Sequence, residues 1–323
     1  MKSIVKIVMV LGVVACTPRN LTQGNKVVVL LDWVPNSNHV GLYVAQALGY
    51  FDEVGLDVFI LQPPEDGAMD MVLAKQAQLA ISSEGNIIFA RQQGLPIVAT
   101  AAILQHNDSG FASLKSKNIT RPRDLVGKRY LGWGGAVEEQ IILSMMAMDG
   151  VENPALTLAG TGALYDFNML LTNQADYIWV FKGWDALAAE LQGVELNMIM
   201  MRDYDERLDH YTPFFVSSDY WVQKQPEQMR VLMQAIARGY EYAAANPIEA
   251  AGLMLNEVEG LDERLMVASV QHLAPFYVNN EGHFGIMQPH VMERYVAWLV
   301  EHGLISESVP VNSFLTNELL VGF

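Results

Sequence analysis

The stretch Leu31–Phe51, LDWVPNSNHVGLYVAQALGYF, decides how the rest of the chain is read. It begins at the end of an apolar, β-branched run, Lys26–Leu31, which predicts a buried strand. Asp32, Trp33, Pro35, Asn36, Asn38 and His39 then crowd into a short loop. Pro35 blocks continuation of the strand, and Asn and Ser suit turns and helix caps. From Val40 the apolar spacing becomes helical, with Leu42, Ala45, Leu48 and Gly49 marking a short helix and its end. A strand that delivers an acid, an indole, two amides and an imidazole just before a helix fits a ligand site at the carboxyl edge of a sheet. The same residues also suit a capping loop over a buried indole.

Downstream, Leu56–Leu61 predicts a second strand, ended by Pro63 and Pro64, and Asp66–Gln78 a helix. Leu79–Ser83 predicts a third strand, Ile87–Gln93 a helix closed by Gly94, and Ile97–Leu104 a further strand. Asn107–Thr120, rich in Ser, Lys and Asn, reads as a polar crossing, and Lys128–Trp133 as the first strand of a second sheet. A helix from Glu138-Glu139 to about Met148 follows, then strands at Leu156–Leu158, Tyr177–Phe181 and Leu196–Met201 with helices at Asp166–Thr172 and Leu187–Leu191. Phe214–Ser217 predicts a strand returning to the first sheet, and Pro226–Ala245, Pro247–Leu255, Asp262–Leu273 and Pro289–His302 are helical. Short strands alternating with helices define an α/β chain with sheets covered on both faces. Crossings near Gly110 and Thr212 fit two lobes joined by a hinge, and two sequential domains would give the same alternation.

With 323 residues, 51% hydrophobic and 17% charged, the chain can build two globular lobes and is not disordered. A net charge of −16 disfavours nucleic acid and anionic membrane surfaces as partners. At the N-terminus, Lys2 and Lys6 precede the short apolar run Ile7–Val14 and the small-residue end Val13-Val14-Ala15-Cys16. This is the pattern of a signal segment (1–16) cleaved before Cys16, the only cysteine and the expected lipidation site. Polar residues 17–25 read as a tether, so the body is expected outside the cytoplasm on a lipid anchor.

Candidate ligand groups fall at four strand-to-helix junctions: Asp32–His39, Ser82–Asn86, Trp133–Glu138 and Phe181–Asp185. In or beside them stand Trp33, Trp133, Trp179 and Trp184 with the carboxylates of Asp32, Glu84, Glu138, Glu139 and Asp185, and one basic residue, Lys182. Indoles stack on rings and carboxylates accept from exocyclic amines, so the set suits a flat, nitrogen-rich heterocycle. A carboxylate or sulfonate would call for Arg or exposed helix amides. Several members have other readings: Trp133 among glycines as a packed indole, Glu138 as first-turn decoration of a helix dipole, Trp179 as core. Tyr211, at the return crossing, is equally open. No Gly-x-Ser-x-Gly, Cys-x-x-Cys, His-Glu-x-x-His or P-loop pattern occurs, and His39, His106 and His210 lack metal-ligand spacing. Neither catalytic residues nor a metal is expected.

LDWVPNSNH at Leu31–His39, GLYVAQALGYF to Phe51 and GLDV at Gly55–Val58 resemble the thiamine-pyrimidine group of periplasmic-binding-protein-like chains. GWGGAVEEQ at Gly132–Gln140, DFNMLLTNQADYIWVFKGWD at Asp166–Asp185 and DHYTPFF at Asp209–Phe215 are similar to further segments of that group. The resemblance implies a two-lobed type II periplasmic-binding-protein fold, with lobe 1 from residues 26–110 and 212–323 and lobe 2 from 111–211. It implies a monomeric substrate-binding lipoprotein that closes on a thiamine-precursor pyrimidine and serves the permease and ATPase of an ABC importer, without a cofactor. Asp32, Trp33, Asn36, His39, Glu84, Trp133, Gly134, Glu138, Phe181, Trp184, Asp185 and Tyr211 are the expected ligand-binding residues. Another flat heterocycle such as riboflavin is the alternative within this class. The group also contains a yeast-type pyrimidine synthase in which the matching histidine reacts beside a lysine-bound pyridoxal phosphate. Here no lysine lies between Lys26 and Lys75, and the cysteine-rich motif of that synthase is absent.

Overall fold

The computed structural model describes residues 25–63, 67–161 and 166–321. The expected signal segment, Cys16, the tether up to residue 24 and the expected helix start at Asp66 lie outside the described residues.

The strands form two five-stranded sheets. The first contains β1 (Lys26–Leu30), β2 (Asp57–Leu61), β3 (Leu79–Ser82), β4 (Ile97–Ala102) and β10 (Phe214–Ser218), in the order β2-β1-β3-β10-β4. The second contains β5 (Ser109–Leu114), β6 (Arg129–Gly132), β7 (Thr157–Thr161), β8 (Tyr177–Phe181) and β9 (Leu196–Met200), in the order β7-β6-β8-β5-β9. Each sheet is parallel except around one strand that arrives across the lobe boundary. β10 runs antiparallel to β3 and β4, and β5 antiparallel to β8 and β9. The chain therefore crosses twice, at 103–108 and 201–213, between two α/β lobes.

β5 corrects the sequence reading, which left Asn107–Thr120 as a crossing. Its residues are small and polar, yet Ser109–Ser113 are all buried. The Ser113 hydroxyl donates to the Ile119 carbonyl at 3.1 Å, which satisfies it inside the sheet. Gly110 lies within this strand, paired with Val180 and Met200 in the second sheet. A Cβ there would stand 2.7 Å from the Ile199 carbonyl oxygen. The helix expected over Asp66–Gln78 is shorter, Ala68–Leu73, with Lys75 in the left-handed region at φ 62°. The helix expected from Ile87 starts three residues earlier, at Glu84, behind the N-cap Ser83.

The crossings are tied to each other. Asp209 accepts from the Asn107 amide at 3.0 Å and pairs with His106 Nδ1 at 2.8 Å, and Arg202 donates to the Asn107 carbonyl at 3.1 Å. Behind the first lobe, the Val40–Ala47 helix crosses the long Pro226–Ala245 helix at glycines. A Cβ on Gly239 would lie 2.0 Å from the Gly41 carbonyl oxygen. Such an approach is open only to glycine, and it brings Tyr240 under the loop that ends β1.

Candidate functional site

A cleft of about 500 Å³ lies between the lobes. Asp32, Trp33, Asn36, Asn38 and Ser83 line it from the first lobe, and Trp133, Trp179, Phe181, Gly183, Trp184 and Asp185 from the second. Leu104, Asp108, Thr212 and Pro213 line it from the crossings, and Leu273 from the Glu263–Leu273 helix. Four of the chain's six tryptophans are among them, and no Lys or Arg is.

The first wall is the loop after β1. Its shape follows from capping: the Asn36 side chain accepts from the Asn38 amide at 2.9 Å and donates to the Val34 carbonyl at 3.1 Å. His39 is 0% exposed and does not line the cleft. Its Nδ1 lies 3.1 Å from the Asn36 amide, which can only donate. Nδ1 is therefore the acceptor, Nε2 carries the proton, and Nε2–H donates to Asp32 Oδ1 at 2.8 Å. Both ring nitrogens are engaged, and the imidazole orients Asp32. From below, the Tyr240 hydroxyl donates to the Asn38 carbonyl at 2.6 Å and the Tyr277 hydroxyl to the Ser37 carbonyl at 2.8 Å.

The second wall is built from the ends of β6 and β8. Trp133 projects half-exposed from a tight turn in which Gly134 has φ 84°. Glu138 does not line the cleft. It is buried, and it accepts from the amides of Trp133 (3.0 Å), Gly134 (2.6 Å) and Gly135 (3.2 Å) and from the Tyr130 hydroxyl. The carboxylate thus holds the Trp133 turn in place instead of facing a ligand. Glu138→Gln is expected to cost about 1–3 kcal/mol of stability, because an amide nitrogen would face donors it cannot bond. Any loss of affinity should be equal for an amino ligand and its oxo analogue. Thermal unfolding and calorimetry with both ligands test this, and a loss confined to the amino ligand would return Glu138 to the site.

Beyond Phe181 the chain makes a π-helical turn, Lys182–Ala186, that carries Trp184 and Asp185 into the cleft. Asp185 Oδ2 accepts from the Phe181 amide at 2.8 Å. Burial pushes its carboxyl up to about 6, against the opposing pull of that amide, and the charge of Asp166 adds to the rise. Asp108, from the outgoing crossing, accepts from the Gly183 amide at 2.5 Å and from His272 Nε2 at 3.0 Å.

Of the expected residues, Asp32, Trp33, Asn36, Trp133, Phe181, Trp184 and Asp185 converge on the cleft. His39, Glu84, Gly134, Glu138 and Tyr211 do not line it. Glu84 falls in the first turn of its helix, with its carboxylate 3.5 Å from the Tyr295 hydroxyl. Gly134 serves the turn geometry, and the Tyr211 hydroxyl accepts from the Gln288 amide at 3.0 Å. Sequence reading missed Leu104, Asp108, Thr212, Pro213 and Leu273 as lining residues, and it left Asn38, Ser83, Trp179 and Gly183, which lie in or near the junctions it named, out of the expected set. Gly183 had one usable signal, its place between Lys182 and Trp184 at a strand end.

A model of the family described as NMT1/THI5 like matches residues 36–250. The chain is 27% identical over 288 residues to the formylaminopyrimidine-binding protein of Halalkalibacterium halodurans, covering 87% of this chain and 86% of that one. It is 26% identical over 246 residues to the 4-amino-5-hydroxymethyl-2-methylpyrimidine phosphate synthase THI5 of Saccharomyces cerevisiae, covering 70% and 69%. Among solved structures, the periplasmic aliphatic sulphonate binding protein SsuA of Escherichia coli superposes with a TM-score of 0.68 at 13% identity, covering 89% of this chain and 96% of that one.

Proposed function

This chain belongs to the NMT1/THI5-like family, and from that premise we propose that it is the substrate-binding component of an importer for an aminopyrimidine. The observation that carries the reading is the lining of the cleft: four indoles with Asp32, Asp108 and Asp185, and no basic side chain. Indoles offer flat faces to a ring, and Asp32 keeps an oxygen beyond its bond to His39 for a ring N–H or an exocyclic amine. Similarity to a formylaminopyrimidine-binding protein supports the same chemistry. A sulfonate, as bound by the similar SsuA fold, would meet carboxylates here and no cation.

The ligand bridges the lobes, which rotate about the crossings at 103–108 and 201–213, residues 26–102 with 214–321 against 109–200. Lipid on Cys16 would hold the protein at the outer face of the membrane that contains the permease, with the ATPase behind it. This placement rests on the signal-like N-terminus. The synthase reading has less support. Among the described residues no lysine lines the cleft to form an imine with pyridoxal phosphate and no basic group lines it for its phosphate, and His39 has both nitrogens engaged. The residues do not fit that cofactor.

Four tryptophans in one cleft make fluorescence the natural test. Titration with the hydroxymethyl or formylamino pyrimidine is expected to quench emission saturably. Trp133→Ala should weaken binding about three- to tenfold through lost stacking. Absence of saturable quenching with both pyrimidines would overturn the reading.

A further inference from the structure

The walls of the cleft are not arranged as a slot for one flat ring. Trp133 and Trp179 have ring centroids 5.6 Å apart at 58°, and Trp133 and Phe181 lie 6.1 Å apart at 44°. Three aromatic faces therefore meet as a corner. A single flat ring can lie against only one of these faces, whereas a positive charge is attracted by the electron-rich face of each. Beside the corner stands Asp185, held by the Phe181 amide on the same strand end. Asp108 is bonded by Gly183 and His272, and Asp32 by His39, but no protein cation among the lining residues balances Asp185. The cleft's volume, about 500 Å³, sits within the ~300–1,000 Å³ of pockets that hold drug-sized ligands and exceeds what one six-membered ring fills.

We propose that this cleft selects a heterocycle with a permanent positive charge, its cationic part in the corner of Trp133, Trp179 and Phe181 beside Asp185. The inference rests on the reading of the cleft as a heterocycle site and narrows it to charged, larger members of that class. The raised position of the Asp185 carboxyl has the same cause: burial without a cation, which the ligand would supply. The charge of Asp166 adds to that rise at Asp185.

The probes are thiamine, which joins an aminopyrimidine to a thiazolium ring, its neutral isostere with carbon in place of the thiazolium nitrogen, and the hydroxymethyl aminopyrimidine alone. Calorimetry on the purified protein at neutral pH is expected to show thiamine binding about tenfold or more tighter than the isostere. Asp185→Asn keeps an acceptor for the Phe181 amide and should narrow that ratio to about threefold or less. If it fails to fold, Trp133→Leu, which removes one face of the corner, should narrow the ratio in the same direction. Equal affinity for thiamine and its isostere, with the aminopyrimidine still bound, overturns this inference and leaves the aminopyrimidine reading standing. A preference that survives unchanged in the folded variant overturns the assignment to this corner. Failure of all three probes to bind overturns both.

Discussion

Gly239→Val is expected to destabilise the protein by about 3 kcal/mol or more, the largest effect foreseen for any single change on the fold. At this position a Cβ would lie 2.0 Å from the carbonyl oxygen of Gly41, 3.0 Å from its carbonyl carbon and 3.1 Å from the Ala45 Cβ. Two of those neighbours are backbone, so no rotamer change relieves the clash and the two helices must separate. The separation also reaches the cleft, because Tyr240 donates to Asn38 in the loop that carries Asp32 and Trp33. Gly252→Ala is the control. It sits in the Pro247–Glu257 helix with nothing within 4 Å of a new Cβ, and it should gain roughly 0.5–1 kcal/mol. Denaturant unfolding of both variants reads the difference. A Gly239→Val protein within about 1 kcal/mol of the parent would contradict the crossing described here.

Gly183→Val is expected to abolish most ligand binding, by about 100-fold or more, while the secondary structure persists. Gly183 stands where both walls and the helix behind them are tied together. Its amide donates to Asp108, and its carbonyl accepts from the Ser269 hydroxyl. That hydroxyl has one proton, so its contact with the Ser37 hydroxyl, at 2.6 Å, is made as acceptor. Ser269 thus links the loop of Asp32 and Trp33 to the turn of Trp184 and Asp185. A Cβ on Gly183 would lie 2.8 Å from His272 Cδ2, 2.9 Å from Asp108 Oδ2 and 2.9 Å from Leu273 Cδ2. A valine drives the Glu263–Leu273 helix away from the second lobe and widens the cleft. Calorimetry with the aminopyrimidine, after circular dichroism establishes folding, measures the loss. Unimpaired binding would mean that the bridge through Ser269 does not set the cleft.

The alternation of elements was readable because strand and helix periods differ, and the four helices from Pro226 onward were found to within a few residues by their prolines and apolar faces. β5 was not readable. Its Ser, Gly and Ala residues have loop-like composition, and they sit in a central strand only because Ile199 and Ile119 approach them closely. Trp33, Trp133 and Trp184 could be placed from their positions after strand ends, since such ends gather at one crevice in an α/β sheet, whereas Trp179, inside β8, could equally be read as core. The direction of a carboxylate was not. Glu138 and Asp185 occupy equivalent places after a strand, yet Glu138 folds back onto three amides while Asp185 accepts from one and lines the cleft. Asp108 was missed for another reason: one partner, His272, lies 164 residues away, beyond any local pattern.

A crystal structure grown with an aminopyrimidine would show whether the cleft between the lobes receives its ring. The expected result is one ring in the cleft, lying against a single indole face, with a nitrogen within hydrogen-bond distance of the Asp32 carboxylate. A ligand seated elsewhere, or a cleft left empty while calorimetry shows saturation, would contradict it.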